Sequence, residues 1–303
     1  MSETPDWIAV DWGTSRLRAW GMTASGTDLW QRASDAGMGR LASDAFEGAL
    51  LDLVGDTLGA GPMPVIACGM VGARQGWVAA AYRAVPCPPL DAMTLTRTRC
   101  ANPRLSVQVI GGLKQTDPAD VMRGEETQIA GFITLNPRFD GVICLPGSHS
   151  KWARISAGEV VSFQTFLTGE MFAALSQHTV LHHTVQTEAW DDEAFATGVS
   201  DALSRPEKLA AFLFNLRAQA LLNDLPAAAA AARLSGALIG AELAAARPYW
   251  LGQDVALIGA PAISRHYAAA LAQQGVPATI ADVDAMTLKG LIQVRAQRKE
   301  TAA

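Results

Sequence analysis

Four cysteines in 303 residues, Cys68, Cys87, Cys100 and Cys144, are scattered without a C-x-x-C pair. That spacing excludes a cysteine zinc ribbon and argues against a disulfide framework, so a reduced, cytoplasmic protein is expected. Charge is also scarce, at 17% of residues, with 24 basic and 29 acidic side chains mixed along the chain for a net −5. No basic block of the kind that grips nucleic acid is present. No uninterrupted apolar run reaches the ~18 residues of a membrane span. Ala227 to Ala232 is too short for one and reads as a helix segment, and Met1 to Asp6 lacks the basic and apolar regions of a signal peptide. No G-x-x-x-x-G-K-[S/T] run occurs, which excludes a P-loop kinase. His178 and His182 have metal-pair spacing, but no Glu lies between them and no third ligand is evident, so a solvated or helix-capping pair is expected.

What is there is a large apolar fraction, 50% of residues, enough for a sizeable core and for two domains. The chain opens on the apolar run Trp7 to Val10, which predicts a buried strand. Asp11-Trp12-Gly13-Thr14-Ser15 follows, and Leu17 to Met22 predicts a returning strand. A carboxylate thus ends a strand beside a turn of backbone N–H and hydroxyl donors. Such a turn can wrap a phosphate while the carboxylate holds Mg²⁺; the same residues also make plain hairpin turns.

A second unit repeats the layout: a strand over Gly141 to Leu145, the turn Pro146-Gly147-Ser148-His149-Ser150, and a returning strand from Lys151. Between the two units, Glu125 and Glu126 open a helix predicted over Glu125 to Ile133, where acidic residues also suit the helix dipole. Either glutamate could take a proton from an acceptor hydroxyl. Beyond, Glu188 to Ala246 reads as mostly helical, Val255 to Ile258 as a buried strand, and Ser264 to Gln274 as a helix. A short strand at Ala278 to Ile280 and a C-terminal helix from about Ala285 close the chain, with a charged tail after Gln297 expected to fray. The class is α/β, with a hairpin unit opening each half.

Two such turns facing each other would grip a triphosphate from both sides, through Asp11 and the amides near Gly13, Thr14 and Ser15 on one side and those of Gly147, Ser148 and His149 on the other. His149 would touch the γ-phosphate or bond a turn carbonyl. The purine would lie near Gly259-Ala260, where glycine permits close backbone approach. Two other matches are set aside. Gly37-Met38-Gly39-Arg40-Leu41-Ala42 fits G-x-G-x-x-[G/A], but it follows a hairpin meander rather than a parallel βαβ unit. Ser148-His149-Ser150-Lys151 fits S-x-x-K without a Lys-Thr-Gly or Ser-Asp-Asn partner.

Asp11-Trp12-Gly13-Thr14-Ser15, Gly69-Met70-Val71-Gly72, Val121-Met122-Arg123-Gly124-Glu125-Glu126-Thr127-Gln128, Pro146-Gly147-Ser148-His149-Ser150-Lys151-Trp152, Thr168-Gly169-Glu170 and Gly240-Ala241-Glu242 occur in this order. Together they closely resemble the 2-dehydro-3-deoxygalactonokinase family. The resemblance implies a two-domain actin-like ATPase (ribonuclease H-like) fold with an interdomain cleft. Residues 1–123 would carry the first phosphate hairpin and the sugar side, and 124–303 the second hairpin and the adenosine side.

The implied reaction is ATP-dependent phosphorylation of the terminal (C6) hydroxyl of 2-dehydro-3-deoxy-D-galactonate, with ATP and Mg²⁺ as cofactors. The alternatives are a kinase for 2-dehydro-3-deoxygluconate, a pentulose or an amino sugar, or a nucleotide-switch protein of the same fold. Related sugar kinases carry a Gly-Asp base where this chain has Gly124-Glu125, which favours Glu125 over Glu126. An anionic substrate needs cations. Candidates are Arg16, Arg74, Arg123, Lys151 and Arg217, with Met70, Gly72 and Trp152 also expected on the substrate side. Expected partners are therefore a small sugar acid and ATP, with no nucleic acid or membrane; a homodimer is left open.

Overall fold

The computed structural model describes residues 4–302, with side chains to residue 298. In chain order the elements are β1 Trp7–Trp12, β2 Leu17–Met22, β3 Asp28–Ser34, α1 Phe46–Val54, β4 Met63–Gly69, β5 Tyr82–Ala84, β6 Thr96–Arg97, β7 Leu105–Val109, β8 Gly112–Thr116, β9 Ala119–Met122 and α2 Glu125–Leu135. There follow β10 Gly141–Leu145, β11 Ser150–Ser156, β12 Glu159–Phe166, α3 Thr168–His178, α4 His182–Val185, α5 Asp192–Ser204, α6 Leu209–Leu222 and α7 Ala227–Ala245. The chain ends with α8 Arg247–Trp250, β13 Val255–Gly259, α9 Pro261–Ala272, β14 Ala278–Asp282 and α10 Val283–Ala302.

Two compact units result. The first comprises 1–139, 157–161 and 283–303; the second comprises 140–156 and 162–282. This division differs from an expected boundary at Arg123 in two ways, because α2 stays with the first unit and α10 returns to it. The cause is close helix packing. A side-chain carbon at Gly131 of α2 would lie 1.9 Å from the carbonyl oxygen of Met286, and one at Gly290 of α10 would lie 2.0 Å from that of Thr127. Only glycine lets these two helix backbones touch.

The first unit's main sheet runs β3-β2-β1-β4-β7-β6 and the second unit's runs β12-β11-β10-β13-β14. In the first, β1 pairs antiparallel with β2 and parallel with β4. In the second, β10 pairs antiparallel with β11 and parallel with β13. The repeated layout expected from the hairpins is therefore a repeated sheet topology. A small sheet, β5-β8-β9, was not foreseen; its strands are short and carry little apolar alternation.

One face of the first sheet is packed by α1, with Trp12, Phe46 and Trp77 forming an aromatic cluster (Trp12 and Phe46 centroids are 5.3 Å apart). The other face carries Trp7, Trp20, Leu291 and Val294. In the second unit, Cys144, Trp152, Leu257, Phe195, Ile239 and Tyr267 join the sheet to α5, α7 and α9. The sequence shows only a short alanine segment at 227–232, but α7 runs 19 residues and by length and composition alone is apolar enough to cross a membrane. Its apolarity goes into the core instead, where Ala230, Leu234, Leu238, Ile239 and Leu243 are buried.

Candidate active site

In the first unit the site is built on the end of β1. Asp11 pairs in register with Cys68 of β4, and Trp12 pairs with Gly69. Gly69 and Gly124 both adopt positive φ, 91° and 103°, a region that side chains with a Cβ rarely enter. They also touch. A Cβ on Gly124 would lie 3.3 Å from the Cα of Gly69, and a Cβ on Gly69 would lie 3.3 Å from Asp11 Oδ1. These two glycines bring the N-terminus of α2, and so Glu125, to the end of the strand that carries Asp11.

Glu125 and Glu126 are separated by environment. Glu125 is half-buried, and its Oε2 accepts the backbone N–H of Arg123 at 3.0 Å, which fixes the carboxylate at the helix entry. Glu126 is fully buried. Its Oε2 accepts the Gly124 N–H at 2.7 Å and its Oε1 accepts the Thr127 hydroxyl at 3.2 Å. Burial, and then the neighbouring Glu125 charge, push its pKa up to about 8. Glu126 is thus enclosed at the helix start, whereas Glu125 is only half-buried.

Asp11 is engaged by Arg18, with Arg18 Nη2 2.5 Å from Asp11 Oδ2, and Arg18 also pairs with Asp284 at the start of α10. Thr14 and Ser15 at the turn tip are exposed. Beneath the tip, Met38 N–H donates to Gly13 O at 3.0 Å and Gly39 N–H donates to Thr14 O at 2.9 Å. The Gly-x-Gly run set aside as a dinucleotide motif thus buttresses the first turn.

Of the expected substrate residues, Met70, Gly72 and Arg123 come together. Met70 and Gly72 form a short turn just after Gly69, and a Cβ on Gly72 would lie 2.8 Å from Arg123 Nη1. The Arg123 guanidinium is buried, with Nη2 donating to Ala80 O at 2.7 Å and the plane 4.3 Å from the Tyr82 ring centre. Its Nε and Nη1 are buried without a hydrogen-bond partner. Arg16 does not join them; its exposed side chain lies 3.9 Å from Asp35. Two expectations on the second unit need correction. Trp152 is fully buried in the core and donates its indole N–H to Glu242 at 2.7 Å, so it is not available to a substrate. Lys151 is buried, and its ammonium donates to His149 O at 3.0 Å, so it braces the turn from beneath.

The second unit's site is the turn 147–149, whose three residues are exposed. The start of α3 rests on it: Glu170 N–H donates to Ser148 O at 2.9 Å, and a Cβ on Gly169 would lie 2.3 Å from Gly147 O. The His149 ring pairs with the Glu170 carboxylate rather than with a turn carbonyl. Beside the turn lies an apolar cavity of about 230 Å³, lined by Gly147, Gly169, Phe172, Trp190, Ile263 and His266 among others. Trp190 stacks on His266 with centroids 4.2 Å apart. Gly259 lies under the turn, where its Cβ would be 2.9 Å from Pro146 O, and Ala260 caps α9. The sequence gives no hint of Phe172, Trp190 or His266, which come from three separate segments, each unremarkable alone.

A family model described as 2-keto-3-deoxy-galactonokinase matches residues 11–294. The chain is 37% identical over 297 residues to a probable 2-dehydro-3-deoxygalactonokinase of Rhizobium meliloti (strain 1021), covering 96% of this chain and 97% of that one. It is 32% identical over 280 residues to the 2-dehydro-3-deoxygalactonokinase of Escherichia coli (strain K12), covering 91% and 92%. A crystal structure of a putative 2-dehydro-3-deoxygalactonokinase protein from Sinorhizobium meliloti superposes with a TM-score of 0.88 at 36% identity, covering 95% of each chain. The fold is α/β and is shared, at 11% identity and a TM-score of 0.55, with the (R)-2-hydroxyglutaryl-CoA dehydratase component A of Acidaminococcus fermentans, over 98% of this chain and 99% of that one. With a whole-length family match and relatives alike across nearly their full length, the chain belongs to the 2-keto-3-deoxy-galactonokinase family.

Proposed function

We propose that this protein transfers the γ-phosphoryl group of ATP to the C6 hydroxyl of 2-dehydro-3-deoxy-D-galactonate, giving 2-dehydro-3-deoxy-6-phospho-D-galactonate and ADP. The observation that carries this reading is the contact of Gly69 with Gly124, which sets Glu125 at the end of the Asp11 strand. Phosphoryl transfer asks little covalent chemistry of a protein; it asks for positioning, charge neutralisation and a group to take the acceptor proton. Glu125 takes that proton, its carboxylate held by the Arg123 N–H. Thr14, Ser15 and Gly147–His149 are exposed and their amides bind phosphate oxygens, whereas the Gly13 N–H is taken up by Arg16 O at 2.9 Å; Glu170 holds the His149 ring beside the second turn. The adenine occupies the apolar cavity beside Gly147 and the first turns of α9, which suits a flat ring; Gly259 and Ala260 do not line it.

Mg²⁺ fits the donor set, since it takes few protein ligands and keeps waters and phosphates; Asp11 offers one hard carboxylate at the first turn. When bound, the ion supplies charge neutralisation on the phosphates. Arg123, with Met70 and Gly72 beside it, serves the anionic substrate. Two buried guanidinium nitrogens without partners are an unmet cost that a carboxylate would relieve. The free thiols support a reducing, cytoplasmic setting. Exposed Phe214, Leu221 and Leu222 on α6 support a homodimer, which sedimentation checks. The substrate assignment is tested by a coupled ADP-release assay with 2-dehydro-3-deoxygalactonate, its gluconate epimer and a neutral hexose. The galactonate derivative is expected to give the highest kcat/KM, and preference for the neutral sugar would overturn the sugar-acid reading.

A further inference from the structure

The second unit contains a buried carboxylate that none of the chemistry above uses. Glu242, near the end of α7, is 3% exposed. Its Oε1 accepts the Trp152 indole N–H at 2.7 Å, and its Oε2 accepts the Tyr267 hydroxyl at 2.6 Å and the Thr168 hydroxyl. The Ser150 hydroxyl lies 2.8 Å from that of Tyr267 and extends the network. The partners are not a random sample of the core. Ser150 and Trp152 begin β11 directly after the turn 147–149. Thr168 opens α3, whose next two residues rest on Gly147 and Ser148. Tyr267 lies on α9, two turns on from Ala260, and Thr168 and Tyr267 also line the apolar cavity.

Desolvating a carboxylate is unfavourable, and an apolar residue of similar size would serve stability as well. A fully satisfied buried network instead holds its members in one arrangement. We propose that Glu242 is a positioning residue for the nucleotide: it ties the phosphate turn, the α3 start and the cavity wall into one preformed half-site. This rests on the kinase reading above. The carboxylate touches no substrate atom; it acts through Ser150, Trp152, Thr168 and Tyr267.

The variants separate positioning from mere stability. Glu242→Gln keeps the size and can keep every bond. Its amide oxygen accepts from Trp152, which can only donate, and its NH₂ meets two hydroxyls, which can accept. Thr168→Val removes only the link to α3. Glu242→Leu leaves the Trp152 and Thr168 donors without an acceptor and leaves Tyr267 only the Ser150 hydroxyl.

ATP affinity is measured by calorimetry, and KM for ATP and for the sugar acid by turnover, each beside a melting curve. Glu242→Leu is expected to weaken ATP binding by about tenfold or more and Thr168→Val by about three- to tenfold, the scale of one lost ordinary hydrogen bond. KM for the sugar acid stays at the wild-type value, and Glu242→Gln restores most of the ATP affinity. If Glu242→Leu does not fold, Thr168→Val and Glu242→Gln decide. ATP affinity unchanged in Thr168→Val, or ATP and sugar-acid parameters worsening together with melting temperature, overturns the proposal. A wild-type chain that neither binds ATP nor phosphorylates the acid overturns the kinase reading itself, which is a distinguishable result.

Discussion

The two units share a sheet topology and a strand-turn-strand opening, and each buries a carboxyl whose pKa is raised by burial, but they surround it differently. In the first unit, Glu126 sits at a helix start with few donors, and its pKa rises to about 8. In the second, Glu242 is equally buried but receives bonds from Trp152, Thr168 and Tyr267, which act against the upward push of burial. The hairpins differ likewise. The first turn is preceded by a carboxylate, Asp11 of β1, held by Arg18; the second presents Gly147, Ser148 and His149 with no acidic residue of its own and borrows Glu170 from α3. One repeated layout thus has two different surroundings. Under the proposed function the first unit would supply carboxylates for metal and proton, and the second would supply donors and an apolar cavity.

The largest effect is expected from breaking the first unit's helix pair. Gly131→Ala places a methyl group 1.9 Å from the Met286 carbonyl oxygen, against backbone that cannot yield like a side chain. A loss of about 3 kcal/mol or failure to fold is expected in denaturant titrations. A lone surface glycine changed in the same way, Gly158→Ala, has open space but positive φ, and its cost is expected to be about 1 kcal/mol.

Next comes the metal side. Asp11→Asn is expected to lower kcat about 10- to 100-fold and to raise the Mg²⁺ concentration needed for half-maximal rate, on the scale of one lost electrostatic contact to the transferring group. An unchanged Mg²⁺ dependence would remove Asp11 from the metal. A smaller effect is expected from Glu170→Gln, which frees the His149 ring. Without the carboxylate the ring loses the partner that orients it at the turn, and a several-fold rise in KM for ATP is expected from turnover assays.

The smallest effect on activity is expected at Glu126, and the signature there is stability. A carboxyl whose folded pKa lies near 8 against an ordinary 4.5 binds its proton more tightly when folded. Its contribution is complete below about pH 4.5 and is lost as pH rises through 8, a matter of a few kcal/mol. Glu126→Gln imitates the protonated form and is expected to melt at a nearly constant temperature across that window, while the wild type falls. Parallel curves would show that Glu126 is ionised in the folded state.

Local patterns made much of this visible in the sequence. Both hairpins are contiguous strand-turn-strand runs, and the helix at Glu125 begins where a glycine and two acidic residues say it should. What depended on distant pairing did not show. Trp152 follows the phosphate turn directly and so looks like a site residue, but strand alternation sends it inward to Glu242, 90 residues away. Trp190 and His266 meet only because α5 and α9 pack on one sheet. The return of α10 to the first unit rests on two glycines, 131 and 290, whose spacing in the chain carries no signal. The Gly37-Met38-Gly39 run was visible, but its use as a support for the Thr14 turn was not, because nothing in the run names its partner.

In the proposed function Glu125 takes the substrate proton while other residues bind the nucleotide. The most direct measurement is Glu125→Gln, titrated with ATP and then assayed for transfer to 2-dehydro-3-deoxygalactonate. An ATP affinity within about twofold of wild type with kcat reduced by roughly 10²–10⁴ is the expected result for a lost general base. Turnover close to wild type at full occupancy would contradict it.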